Sequence, residues 1–234
     1  MFDAIAPTYE RVNRLASVGR DAYWRREMVR LAEVRPEDIM LDVACGTGDV
    51  VRAFAGAPIR PARILGLDFA PLMLGQAVGR PVLGGSFACG DALRLPVADS
   101  AVSLVTCAFG IRNFENLGTG LNEMHRVLMP GGRVVIIERL DDEGDLRELY
   151  RSMPEVLRRL KTWSHYILTS YPDFETLIGQ EANRRRKLYN ARIQCTYYQF
   201  HGPKRERADT GETPATPLAT ARTCRASLER VRPP

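Results

Sequence analysis

The sequence predicts an α/β protein built on a doubly wound, mostly parallel sheet. Three observations carry this. The apolar run Ile39–Val43 stops at Ala44-Cys45-Gly46-Thr47-Gly48, and a helical pattern with Val50, Val51 and Phe54 starts at Asp49. Strand, tight glycine turn and helix open a nucleotide-binding α/β unit. Further apolar runs without polar alternation alternate with helical patterns, which indicates parallel strands covered on both faces. The runs also end at Asp42, Asp68, Asp91, Ala108 and Glu138. Ligands of such sheets bind beyond the carboxyl ends of the strands, so these ends predict one shared crevice.

Taken in order, Phe2, Ile5, Tyr9 and Val12 recur at helical spacing. A second helix is predicted over 20–32, with Tyr23, Trp24, Met28 and Leu31 apolar and Arg25, Arg26 and Arg30 interspersed. Residues 1–36 thus read as a helical cap, either an ordinary amphipathic one or a lid over the crevice that also touches a membrane surface, where Trp and Arg are at home. The body, 37–200, begins after the turn Pro36-Glu37-Asp38 with strand Ile39–Val43 and helix Asp49–Ala55. A strand over 63–67 follows, then a helix with Pro71 in its first turn, a favoured place for proline. Strands are predicted over 86–89, Val102–Ala108 and 133–138, with a helix over Leu117–Val127 and a turn at Pro130-Gly131-Gly132. Beyond Glu138 the signal fades. Residues 146–163 have helical spacing, and 171–177 read as a turn into a short helix. Arg184-Arg185-Arg186-Lys187 reads as a solvated helix face, and Ile193–Phe200 as a strand from the alternation of Ile193, Cys195 and Tyr197. The segment 201–234, rich in Pro, Thr, Ala and Arg, lacks the apolar groups to offset ordering entropy and is expected to be a disordered basic tail.

The formal net charge is +5, and 15 of the 33 basic and 15 of the 28 acidic side chains fall in 1–138. A neutral body with a basic end argues against nucleic-acid binding as the main task. No run of about 18 apolar residues and no signal peptide are read. The five cysteines, Cys45, Cys89, Cys107, Cys195 and Cys224, are far apart. They are expected to be reduced thiols of a cytoplasmic protein, and no metal site is expected.

The ligand follows from what the glycine turn lacks. A dinucleotide fingerprint places a third small residue where Val51 stands, and a P-loop requires a lysine that is absent. What remains is Asp42, the pair Gly46 and Gly48, and a second strand-end acid, Asp68, 20 positions after Gly48. Glycine lets a ligand lie against bare backbone, and an acid at Asp68 accepts hydrogen bonds from both ribose hydroxyls. Together these residues resemble the S-adenosylmethionine (AdoMet) site of class I methyltransferases, a Rossmann-like fold. Asp91 is then the acceptor for the adenine amino group, with the Ala92 N–H near the ring.

Residues 1–138 resemble the UbiE/MenG family, the C-methyltransferases of ubiquinone and menaquinone biosynthesis. The resemblance is carried by Phe2-Asp3-Ala4-Ile5-Ala6 with Tyr9, Asn13, Ser17, Gly19 and Trp24; by 42–49; by Phe109-Gly110-Ile111-Arg112-Asn113; and by Arg126 to Glu138. It implies AdoMet as cofactor and methylation of a prenylated benzoquinol or naphthoquinol. It implies cofactor contacts at Asp42, Gly46, Thr47, Gly48, Val51, Asp68, Phe69, Asp91, Ala92 and Ala108. Arg112 and Asn113 would activate the substrate, with Tyr9 as a further candidate. Val51 and Ala108 stand where the family commonly has Thr and Ser, and the closing strand pair and the glycine-rich ending of the family are not matched. Location at the inner face of the membrane and a homodimer are compatible with the resemblance. The competing readings are another small or lipid-like acceptor, an AdoMet-binding protein without catalysis, and an NAD-dependent oxidoreductase, which Val51 disfavours.

Overall fold

The computed structural model describes residues 20–138, 147, 149–151, 153–159, 162–190 and 193–203. Tyr9 with the first predicted helix, and the predicted tail from 204 onward, lie outside the described residues. In chain order the elements are α1 (Arg20–Leu31), β1 (Ile39–Val43), α2 (Asp49–Ala55), β2 (Arg63–Asp68), α3 (Pro71–Val78) and β3 (Gly85–Cys89). Then come β4 (Val102–Ala108), a 3-10 turn (Ile111–Asn113), α4 (Leu117–Val127), β5 (Leu128–Ile137), α5 (Met153–Arg159), β6 (Ser164–Thr169), α6 (Phe174–Ile178), β7 (Arg184–Asn190) and β8 (Ile193–Phe200).

The strands form one eight-stranded sheet in the order β3-β2-β1-β4-β5-β6-β8-β7. The strands from β1 to β6 pair in parallel. The β6–β8 and β8–β7 pairs are antiparallel. The chain winds outward from β1 in one direction and from β4 in the other, so the point of reversal, and the crevice such a reversal opens, lies between β1 and β4.

The two faces are covered by different helices, and the period-two geometry of a strand sorts the side chains between them. Met40, Ile64, Leu104, Val135, Tyr166 and Tyr197 face a layer containing Trp24 and Met28 of α1, Phe54 of α2 and Leu74 of α3. Their neighbours Leu41, Leu65, Val105, Val134, Ile167 and Tyr198 face Leu121 and Met124 of α4, Leu157 of α5 and Phe174 of α6. The helix α4 starts where predicted because the Asn116 Oδ1 accepts the Thr119 N–H at 2.8 Å, a side-chain cap.

Two expectations are corrected. Arg184 to Lys187 form strand β7, not a helix; all four are exposed on the sheet edge, where charge hides the alternation that marks a strand. Pro130-Gly131-Gly132 do not end an element but sit inside β5 as a bulge, since Val102 pairs with Leu128 and Leu104 with Arg133. The strand β6 had no sequence signal assigned to it. The described cysteines, Cys45, Cys89, Cys107 and Cys195, are free thiols. No helix among the described residues is long and apolar enough to cross a membrane.

The end of the sheet away from the crevice is held by a buried charge network. Arg133 is 2% exposed, and its Nη2 donates to Asp38 Oδ2 while its Nε donates to the Ala32 carbonyl at 3.2 Å. Asp38 also accepts from Ser103 Oγ at 2.7 Å and from the Arg35 N–H at 2.7 Å. The network joins the end of α1 to β1, β4 and β5. Removing one member leaves its partner buried and uncompensated, which costs about 3–5 kcal/mol. Asp38→Ala is therefore expected to lower the unfolding free energy by that amount in urea titration, and Asp38→Leu combined with Arg133→Met to recover part of the loss.

Candidate functional site

The carboxyl ends of β1, β2 and β4 surround a cavity of about 410 Å³. Its floor is the glycine turn after β1. The turn is stitched to β2: the Cys45 N–H donates to the Leu67 carbonyl at 3.0 Å, and the Gly46 N–H donates to Asp68 Oδ2 at 2.7 Å. The other oxygen of Asp68 accepts the Ala70 N–H at 2.9 Å. One carboxylate thus pins the bend after β1 and the entry to α3. Ala44, Gly46 and Gly48 have φ of +55°, +54° and +81°, so the turn runs through left-handed backbone three times in five residues.

The predicted cofactor residues divide into two sets. Gly46, Asp68, Phe69, Asp91, Ala92 and Ala108 line the cavity. A Cβ at Gly46 would approach only Met73, at 3.9 Å, so that glycine leaves its cavity side open. Asp42, Thr47, Gly48 and Val51 do not line it; they shape the turn from behind. Gly48 is bare for another reason than ligand approach: a Cβ there would lie 2.7 Å from the Phe87 ring. The Thr47 Oγ1 lies 3.5 Å from Asp49 Oδ2. Val51 stands furthest from that role, its side chain fully buried in the core between α2 and the sheet. Asp91 uses one oxygen to close its own turn, accepting the Leu93 N–H at 2.8 Å.

Of the predicted catalytic residues, Asn113 lines the cavity and Arg112 stands beside it on the same 3-10 turn. Arg112 Nη1 lies 3.2 Å from Glu138 Oε1, an ion pair that sequence reasoning missed although Glu138 was noted as a strand end. Phe109, also on the wall, was missed as a site residue. It has φ +59°, a conformation no sequence pattern announces for an aromatic residue.

Burial sets the electrostatics behind the turn. The Asp42 carboxyl is pushed up to about 7 by burial, against a hydrogen bond from Thr106 Oγ1 of 2.6 Å, and the charge of Asp68 adds to the rise. Burial, aided by the charge of Asp42, also holds the Cys45 and Cys107 thiols well above their ordinary value, so neither serves as a thiolate nucleophile at neutral pH. The cavity therefore offers hydrogen-bond acceptors, bare backbone and apolar walls. It is built to bind and align.

The model of the ubiE/COQ5 methyltransferase family matches residues 1–184. The chain belongs to this family. Among curated relatives, demethylmenaquinone methyltransferase of Deinococcus radiodurans is 46% identical over 142 residues, covering 59% of this chain and 58% of its own. That of Thermus thermophilus is 45% identical over 142 residues, covering 59% and 64%. The chain thus spans less than two thirds of the length of these two relatives. That of Lactiplantibacillus plantarum is 36% identical over 204 residues, covering 85% of this chain and 81% of the relative. Among solved structures, a chain from the complex of the Haloferax volcanii Trm112 methyltransferase activator with a proposed methyltransferase superposes with a TM-score of 0.56 at 15% identity, covering 88% of this chain and 97% of that one. The Bacillus YcgJ protein gives 0.53 at 19% identity, covering 79% and 99%. At these identities the two structures speak for the ubiE/COQ5 member's fold alone.

Two outcomes follow for this site. Gly48→Ala forces a side chain into left-handed backbone and against Phe87, and is expected to destabilise by about 1–3 kcal/mol; Gly75→Ala, inside α3 with open space at its Cβ, is expected to stabilise by about 0.5–1 kcal/mol. Thermal melting of both variants checks this. Asp42 holds its proton when folded to about pH 7 but releases it near its ordinary value when unfolded. The unfolded chain therefore binds fewer protons between these limits, and this group's contribution to stability falls as pH rises through them. Asp42→Asn cannot ionise, so denaturant titrations from pH 4 to 8 should show the wild type losing about 4 kcal/mol relative to the variant.

Proposed function

We propose that this chain binds AdoMet in the cavity and transfers its methyl group to a ring carbon of a prenylated quinol, with a naphthoquinol as the first candidate because the relatives named above are demethylmenaquinone methyltransferases. The observation that carries the reading is the Asp68 carboxylate, which pins the glycine turn and lines the cavity at the same time. Each of its oxygens accepts one backbone N–H, and a carboxylate at a cavity wall is the acceptor type that a ribose diol calls for. The other wall residues fit the same ligand. Phe69, 63% exposed at the cavity, offers a flat apolar face for a base. Asp91 and Ala92 stand on the side where the adenine edge would lie, and Gly46 leaves space for the methionine portion.

AdoMet supplies a methyl group already activated on a sulfonium. The protein's part is to align donor and acceptor and to exclude water. A quinol carbon is a weak nucleophile that strengthens as a ring hydroxyl loses its proton. An arginine side chain is no free base; Arg112 instead stabilises the oxyanion that develops, with Asn113 as a hydrogen-bonding partner at the cavity wall. Tyr9, on the predicted cap, is assigned to the acceptor side in the same reading. A prenylated acceptor resides in a membrane, so the reading includes peripheral contact with that surface.

Calorimetry with AdoMet and with NAD, followed by transfer of labelled methyl to demethylmenaquinol and to its benzoquinol counterpart, tests the proposal. Micromolar binding of AdoMet alone and labelling of the naphthoquinol are expected, and absence of AdoMet binding rejects it. Arg112→Ala is expected to bind AdoMet normally and to lose on the order of 100-fold or more in kcat. Undiminished turnover in that variant removes Arg112 from the mechanism.

A further inference from the structure

Glu138 lies at the carboxyl end of β5 with a fully buried side chain. Its own N–H donates to the Leu168 carbonyl at 3.1 Å, so the neighbouring strand β6 fixes its main chain. From this fixed point the carboxylate reaches the 3-10 turn Ile111–Asn113 twice. Its Oε1 stands 3.2 Å from Arg112 Nη1, and its Oε2 accepts the Arg112 N–H at 3.4 Å. One carboxylate therefore holds both the side chain and the backbone of the same residue. The residues that follow Arg112, Asn113 to Glu115, line the cavity, whereas Glu138 is not among the lining residues.

An arginine side chain, about one third exposed as this one is, samples many rotamers and must lose that freedom before it meets a substrate oxygen. An anion anchored in the sheet imposes the loss in advance, and a buried carboxylate in turn demands its cationic partner. We infer that Glu138 is the positioning residue for Arg112, setting the guanidinium and the turn that presents Asn113 to the acceptor. The inference rests on the reading of Arg112 as the group that meets the acceptor's developing negative charge.

Two substitutions test it in the full chain. Glu138→Gln keeps the shape and removes the charge; Glu138→Asp keeps the charge and withdraws it by one methylene. The expected pattern is an AdoMet Kd and an acceptor KM near those of the wild type. The kcat should fall on the order of 100-fold in Glu138→Gln, the scale of a misplaced group, and less in Glu138→Asp. Combining Glu138→Gln with Arg112→Ala should be no slower than Arg112→Ala alone. A readout independent of turnover is nitrogen-15 NMR of the Arg112 guanidinium, whose protons should exchange slowly in the wild type and rapidly in Glu138→Gln. Wild-type kcat in Glu138→Gln beside a slow Arg112→Ala, additive losses in the double variant, loss of AdoMet affinity in Glu138→Gln, or equal guanidinium exchange in both proteins each overturns the inference. Full turnover in Arg112→Ala overturns it together with the role given to Arg112. Failure of the wild type to bind AdoMet overturns the functional reading alone, and the guanidinium measurement then still decides whether Glu138 holds Arg112.

Discussion

The interaction on which the site depends is the hydrogen bond from the Gly46 N–H to the Asp68 carboxylate. A bend that passes through positive φ at Ala44, Gly46 and Gly48 takes its Cys45 N–H to the Leu67 carbonyl and its Gly48 N–H to the Cys45 carbonyl, and turns the Gly46 N–H towards a side chain. Its donors need acceptors, because a buried N–H without one costs free energy comparable to a lost hydrogen bond. Asp68, at the end of the adjacent parallel strand, provides one acceptor to this bend and another to Ala70 ahead of α3. Register makes this possible: Val43, the last residue of β1, pairs with Leu67, so Asp68, one residue further along β2, stands level with the start of the bend. The cavity is thus a consequence of β2 running one residue past β1.

The two ends of the sheet divide the labour. At the amino end, Asp38, Arg133 and Ser103 satisfy one another inside a closed network that also holds the end of α1. The Tyr197 hydroxyl reinforces it by donating to the Leu31 carbonyl at 2.8 Å. At the carboxyl end, Asp68 and Asp91 accept backbone N–H groups and line the cavity. Charges at the first end close on one another inside the protein, and those at the second border an open space.

Much of this was legible in the residues. The strands β1, β2, β4 and the helix α4 were read nearly to the residue, because continuous apolar runs bounded by Gly, Pro and Asn have few alternative structures. The convergence of Asp68, Asp91 and Ala108 followed from parallel topology, which puts all strand ends on one side. What was not legible depended on partners distant in sequence. Nothing local in Arg184 to Lys187 shows that they pair with β8. Nothing in Val51 tells that Gly85 and the sheet close over it rather than a ligand. The Arg112–Glu138 pair spans a helix and a strand, and only the fold brings its members together.

The outermost strand has one further effect. An exposed β edge is a template for another chain to pair with, and proteins blunt it with charge. On β7 four consecutive cations, Arg184 to Lys187, occupy that edge, with Arg185 steadied by Glu175 and Glu181 at 2.6 and 2.9 Å. A second molecule approaching side by side would bring four like charges to the same border. Repulsion between those charges works against pairing of two copies along β7.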